Sequence, residues 1–263
     1  MQVFPQLSSG AVTQWPIRRN RVSRTVVNES MDGTRIKLGD SGADSMEWDL
    51  QFSAITDSER NALWQLFENC EGRLGSFTFL DPADNLLSWS EKLDEPVWSA
   101  NALLTISSGI ADPEGGTQAT RLVNTSGGAL RIEQIVDGPA RLHYAFSVQA
   151  RSAAPTPLTV YRQATADLVS SVVDVDSQWK RYLLSGSFTS TDESLVFGLE
   201  LGAGHTVDVY GMQVEAQTGG SNYKKTFSRS GVYPEARFAD DVLSVTADGP
   251  NRHSCSVRIF SRL

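Results

Sequence analysis

Serine, histidine and carboxylate side chains are the usual means by which a protein makes and breaks bonds, and in this chain their spacing offers no working arrangement. The stretch Gly39-Asp40-Ser41-Gly42 has the look of a protease nucleophile loop, yet no histidine precedes it, the first being His143. A serine hydroxyl without a neighbouring base is a weak nucleophile, so the stretch reads as a polar turn between two strands. His143, His205 and His253 stand apart, without the close His, Cys or carboxylate spacing of a metal site. Gly202-Ala203-Gly204 lacks the downstream glycine and helix that would cradle a phosphate. Asp174 and Asp176 would share one face of a strand, and Asp192 adjoins Glu193 in a turn. Both pairs read as solvated loop, with a glycosidase dyad or calcium coordination as the alternatives. No catalytic residue, metal ligand or cofactor is assigned.

Stacking against sugar rings needs no proton-transfer group, only an exposed aromatic beside hydrogen-bonding side chains. Tyr161, flanked by Arg162 and Gln163, fits this best, and Gln149 and Arg151, on the face opposite Tyr144 and Phe146, would join it. Gln149, Arg151, Tyr161 and Gln163 are therefore the candidate glycan-binding residues. The competing reading makes Tyr161 a core residue, as Trp89, Trp98, Trp179, Tyr182 and Phe197 are expected to be.

The elements that must position these residues fall into three stretches. In residues 1–83, Thr25 to Leu38 reads as two extended runs joined near Asp32-Gly33, a dipeptide that tolerates positive φ. Met46, Trp48, Leu50 and Phe52 alternate with Glu47, Asp49, Gln51 and Ser53, which predicts a half-buried strand. Thr56 and Glu59 form a capping-box pair ahead of Leu63, Leu66, Phe67 and Cys70, and Gly72 ends the helix. Residues 84–228 carry at least six short β-like runs divided by Gly, Pro and Ser, with no comparable helix, the pattern of a sandwich or jelly roll. Residues 229–263 give two more strands, which together form a hairpin about Asp248-Gly249-Pro250. That hairpin needs a sheet, and residues 1–83 are the available one. The expected fold is mainly β: a small sheet scaffold with one packed helix, interrupted by an inserted β-sandwich.

Composition narrows the function classes. The net charge of −8 divides into −6 for residues 84–228 and −2 for the remainder, so neither part has the basic surplus that phosphate backbones require. Arg18, Arg19, Arg21 and Arg24 read as a solvated strand edge or a subunit contact. No apolar stretch approaches the ~20 residues of a membrane span, and the N-terminus lacks the basic start and apolar run of a cleaved signal. Cys70 and Cys255 read as buried free thiols, so folding in a bacterial-type cytoplasm is expected.

The paired arginines, Met31-Asp32-Gly33, the Met46-to-Phe52 strand, Thr56-Asp57-Ser58-Glu59 and Gly72-Arg73-Leu74-Gly75-Ser76-Phe77-Thr78-Phe79-Leu80-Asp81-Pro82 together resemble the distal and minor tail proteins of long-tailed bacteriophages. Ala236-Arg237-Phe238 through Ile259 is similar to the closing strands of that domain. The middle stretch resembles jelly-roll carbohydrate-binding modules, through Asn85-Leu86-Leu87-Ser88-Trp89-Ser90-Glu91 with Trp98, Tyr144-Ala145-Phe146-Ser147-Val148, Trp179-Lys180-Arg181-Tyr182 and Gly211-Met212-Gln213-Val214-Glu215 with Tyr223 and Thr226. The resemblance implies a virion tail-tip protein, ring-forming as a hexamer or trimer, with the tail tube and tail-tip hub proteins as partners. It implies host-surface polysaccharide as a further partner of the outward-facing insert. A receptor-binding or tail-fibre protein is the first alternative and a polysaccharide-degrading enzyme the second.

Overall fold

The computed structural model describes residues 1–40 and 42–263. Ser41, the serine of the Gly39-to-Gly42 stretch, lies outside the described residues. The chain begins with β1 (Arg18–Glu29), β2 (Arg35–Ile55), the helix α1 (Asp57–Asn69) and β3 (Phe77–Leu80). Ten strands follow: β4 (Ser99–Ala100), β5 (Leu104–Ile110), β6 (Ala119–Asn124), β7 (Leu130–Asp137), β8 (Tyr144–Arg151), β9 (Thr156–Gln163), β10 (Leu168–Val175), β11 (Lys180–Gly186), β12 (Ser194–Leu201) and β13 (Thr206–Glu215). The last are β14 (Val232–Phe238), β15 (Val245–Gly249) and β16 (Arg252–Arg262). The chain divides into two compact units, one of Met1–Ser8, Thr13–Phe79 and Tyr233–Leu263, the other of Ser9–Val12 and Leu80–Val232. No helix among the described residues is long and apolar enough to cross a membrane.

The first unit is one sheet in the order β1-β2-β16-β14-β3, with β15 paired to β16. Alternation along β2 buries Met46, Trp48, Leu50 and Phe52, each worth about 1.5–3 kcal/mol of apolar burial. They meet an aromatic cluster in which Phe79 lies 5.0 Å from Trp48 and 5.5 Å from Phe4, edge to face. α1 begins at the capping box, where Glu59 N–H donates to Thr56 Oγ1 at 3.3 Å and Thr56 N–H to Glu59 Oε2 at 2.8 Å. It ends where Gly72, at φ +64°, turns its N–H back to Phe67 O at 3.1 Å. Its inward face is Leu63 and Leu66, with Phe67 against Phe238 at 5.0 Å.

Two expectations change here. Gly39, Asp40 and Gly42 belong to β2 and not to a turn between two strands. The β1–β2 register slips there, from Val22 opposite Ser45 to Arg24 opposite Asp40, so the extra residues of β2 are absorbed as a bulge. The closing segment supplies three strands where the sequence suggested two, because Pro234 interrupts the β pattern of β14. The Asp32-Gly33 hairpin forms as expected, with Gly33 at φ +82° and Ser30 N–H bonded to Thr34 O at 2.9 Å.

The second unit is two antiparallel sheets, β10-β9-β12-β7-β4 and β11-β8-β13-β6-β5. From β6 to β9 the chain changes sheet with every strand, the winding of a jelly roll. Between the sheets lie Tyr144, Phe146 and Val148 from one side and Leu158, Val160, Phe197 and Leu199 from the other. Phe197 stands 5.7 Å from both Tyr144 and Phe146. Buried Asn85 donates to Met212 O and Lys224 O and accepts from Leu87 N–H and Val214 N–H, so one amide ties the start of the unit to its last strand. Trp98 and Phe197 are buried, while Trp89, Trp179 and Tyr182 are only half-buried. Cys70 and Cys255, in the first unit, are buried free thiols.

Candidate functional site

Tyr161 projects from β9 onto the outer face of its sheet, where the register places Ser170, Tyr161, Gly198 and Glu133 in one row across β10, β9, β12 and β7. Glycine at 198 is what lets the ring lie across β12, since a Cβ there would come within 2.6 Å of the Tyr161 hydroxyl. The hydroxyl reaches over it and donates to Glu133 Oε2. The Arg131 guanidinium lies 4.8 Å from the ring centroid, and its Nε donates to Glu200 Oε2 at 2.6 Å. Burial first, and the Glu133 carboxylate second, push the Tyr161 phenol well above its ordinary range, so it stays protonated and acts as a donor.

This arrangement changes what the four sequence candidates can do. Tyr161 is 1% exposed, roofed by Arg131, and is no open stacking platform. Gln163 is half-buried two residues along the same face. Gln149 and Arg151 lie on β8, in the other sheet. The structure therefore joins Tyr161 to Gln163 and separates both from Gln149 and Arg151. The physical reason is the jelly-roll crossing: the chain leaves one sheet at Arg151 and enters the other at Thr156. Arg151 is spent locally, its Nε on Asp208 Oδ2 at 3.2 Å and its guanidinium over the Trp179 ring at 4.8 Å.

A concave site does exist on the β13 side of the unit. Tyr210 is followed by Gly211 at φ +64°, where the β13–β8 register slips, and Tyr223 covers that glycine with its ring 5.3 Å from Tyr210, edge to face. The two tyrosines, Glu91, Asp112, Glu114, Gln118 and Lys225 line a cleft of about 390 Å³. Asp112 accepts the backbone N–H groups of Glu114, Gly116 and Gln118 at 2.9 Å each, which shapes the loop. Glu91 is ion-paired with Lys225, and the Tyr223 hydroxyl pairs with Ser90 Oγ at 2.7 Å. Burial, then the charges of Glu91 and Glu114, raise the Tyr210 phenol; burial dominates for Tyr223. Aromatic edges, carboxylate acceptors and amide and ammonium donors around a small cleft suit a hydroxyl-rich ligand. These residues come from three distant stretches of chain, so no local motif announces them.

The remaining sequence candidates stay apart. His253 Nε2 lies 2.5 Å from Asp57 Oδ1 at the start of α1. His143 is half-buried, and burial with the charge of Arg162 lowers its pKa. Asp174 sits exposed on β10 and Asp176 pairs with Lys180. Among the described residues no group of three or more His, Cys, Asp or Glu could hold a metal ion.

No protein-family model matches the sequence. No curated protein matches it either. Among solved structures, the chain is similar to the enzymatically active domain of tailspike protein 4 of bacteriophage CBA120, at 15% identity over 52% of this chain and with a TM-score of 0.42. The match spans 22% of the tailspike chain. It is also similar to the CBM22-1 xylan-binding domain from Paenibacillus barcinonensis Xyn10C, at 14% identity over 52% of this chain and 97% of that one, TM-score 0.41. TmCBM61, solved in complex with β-1,4-galactotriose, matches at 10% identity over 49% of this chain and 97% of that one, TM-score 0.39.

Proposed function

We propose that the chain is a structural protein of a phage-type tail tip, whose first unit joins copies of itself into a ring and whose second unit offers a weak site for host-surface glycans. The observation that carries this reading is the outer half of the β1–β2 hairpin. β16 pairs with β2 only over Ser45 to Ile55, so residues 22–42 leave the sheet as a two-stranded ribbon. Val27, Ile36 and Leu38 on that ribbon are each more than half exposed. A ribbon with open edges and exposed apolar groups is marginal in water and is a template for another chain. Of the β1 arginines only Arg24 lies on this arm, paired with Asp40, while Arg18, Arg19 and Arg21 stand opposite Asp49, Trp48 and Met46 at its base.

In this reading the ring, of six or three copies, adapts the tail tube to the tip proteins by shape, and no bond is made or broken. The glycan partner would sit in the Tyr210–Tyr223 cleft. Such a shallow polar site gains only a few kcal/mol per copy, and several copies on one ring would raise the effective concentration. What speaks against a polysaccharide-degrading enzyme is that Asp112 is committed to backbone N–H groups and Glu91 to Lys225. The cleft itself favours a second reading, a receptor-binding or tail-fibre protein, and copy number per particle separates the two.

Replacing residues 22–42 by a short Gly-Ser turn tests the assembly. The full chain is expected to sediment as an oligomer and the shortened chain as a monomer with an intact melting transition; equal masses would overturn the ring. On an array of bacterial surface glycans the full chain should give weak signals that Gln118→Ala and Glu114→Gln diminish. Silence across the array would remove the glycan part and leave the second unit as a spacer.

A further inference from the structure

The second unit contains a buried cation with almost nothing bonded to it. Along β9, Leu158, Val160 and Arg162 fall on one face, and Arg162 stands opposite Phe197 of β12, so its side chain enters the space between the two sheets at the end of the strand. Arg162 is 4% exposed. A guanidinium has five N–H donors, yet this one makes a single long hydrogen bond, from Nη2 to Ser187 O at 3.4 Å, and one ring contact, 4.5 Å from the centroid of Phe188. Nε and Nη1 are shut off from solvent and have no partner. Among the described residues no carboxylate pairs with Arg162, and burial alone acts on its charge, in the direction that disfavours it. Asp192, on the neighbouring 187–193 loop, gives its carboxylate to the Thr165 N–H at 2.8 Å. His143 is near enough to feel the Arg162 charge and adds no negative one.

An unpaired guanidinium taken out of water costs far more than one long hydrogen bond and one cation–π contact return. An apolar side chain of the same length would fill the place without that cost. The fold nevertheless makes room for the cation. Gly186, at φ +141° where β11 ends, lies against the guanidinium, and a Cβ there would collide with Nη2. We propose that Arg162 binds a small inorganic anion of the halide class, chloride in ordinary salt, on its free N–H groups between the end of β9 and the 187–193 loop. The enclosure selects a single-atom ion over a carboxylate or phosphate ligand, because the free nitrogens are not reached from outside. The anion cancels the buried charge and ties β9 to the loop after β11, so it is a structural part of the second unit. Arg162 does not line the tyrosine cleft, and the anion site does not depend on that cleft taking a glycan.

The test compares thermal melts of the full chain in sodium chloride and in sodium gluconate at one ionic strength, so that screening of the net charge of −8 is the same in both. A ligand bound only by the folded state raises the melting midpoint, and saturating chloride is expected to raise that of the second unit by about 2–4 °C. Arg162→Met keeps the length and the apolar contacts and should melt alike in the two salts. Arg162→Lys replaces the fork by one ammonium and should shift less than the parent. A parent midpoint indifferent to chloride would overturn the proposal, and so would a shift that persists in folded Arg162→Met, which would mark an adventitious ion only. Crystals of the parent soaked in bromide give a reading that needs no variant. An anomalous peak within hydrogen-bond reach of the Arg162 guanidinium is expected, and its absence overturns the proposal even where Arg162→Met fails to fold.

Discussion

Thr56 and Glu59 carry the start of α1, and Ser8 adds its N–H and hydroxyl to the Glu59 carboxylate at 2.7 Å each. Thr56→Ala should therefore cost about 1 kcal/mol, read as a lower urea midpoint at neutral pH with an unchanged slope. Burial alone would raise the Glu59 carboxyl, but hydrogen bonds from Thr56 and Ser8 outweigh it and hold it at about 2 against an ordinary 4.5. A carboxylate held low stabilises the fold above its unfolded value and loses that contribution as pH falls from 4.5 towards 2. Urea midpoints across that range should decline more steeply in the parent than in Glu59→Gln, and parallel declines would contradict the assignment. This cap was legible in the sequence because all its main partners lie within four residues. The surroundings of Tyr161 were not, since Glu133, Arg131 and Gly198 arrive from β7 and β12 and are adjacent only after the sheet forms. The tyrosine cleft was hidden for the same reason.

At the scale of elements, alternation revealed the half-buried strands and failed where a strand is largely exposed or interrupted. β2 shows it from Met46 to Phe52, whereas β8 alternates in sequence but is buried at every residue from Tyr144 to Val148. β10 was missed: it is an edge strand paired only to β9, and its Leu168-Val169-Ser170-Ser171-Val172-Val173 sequence does not alternate. β14 was hidden by Pro234. β16 is the element on which the first unit most depends, because it pairs with β2, β14 and β15 and buries Val257 and Ile259. A chain ended at Pro250 should lose the cooperative melting of the first unit and keep that of the second, giving one thermal transition in place of two by calorimetry. Retention of both would show that β16 is dispensable.

For the whole molecule, a mainly β chain with one helix and a two-sheet sandwich was readable from run lengths and turn residues, while the proposed assembly rests only on what the fold leaves open. Among the described residues the ribbon of residues 22–42 has no sheet partner beyond its own two strands, and the proposed ring would cover every copy of it alike. Electron cryomicroscopy of the purified full chain tests this most directly. The account predicts closed rings of six-fold or three-fold symmetry, at six or three times the 28.7 kDa of the chain, with the β1–β2 ribbon of each copy against its neighbour. Isolated 28.7 kDa particles at every concentration, or rings in which the ribbon stays free, would contradict it.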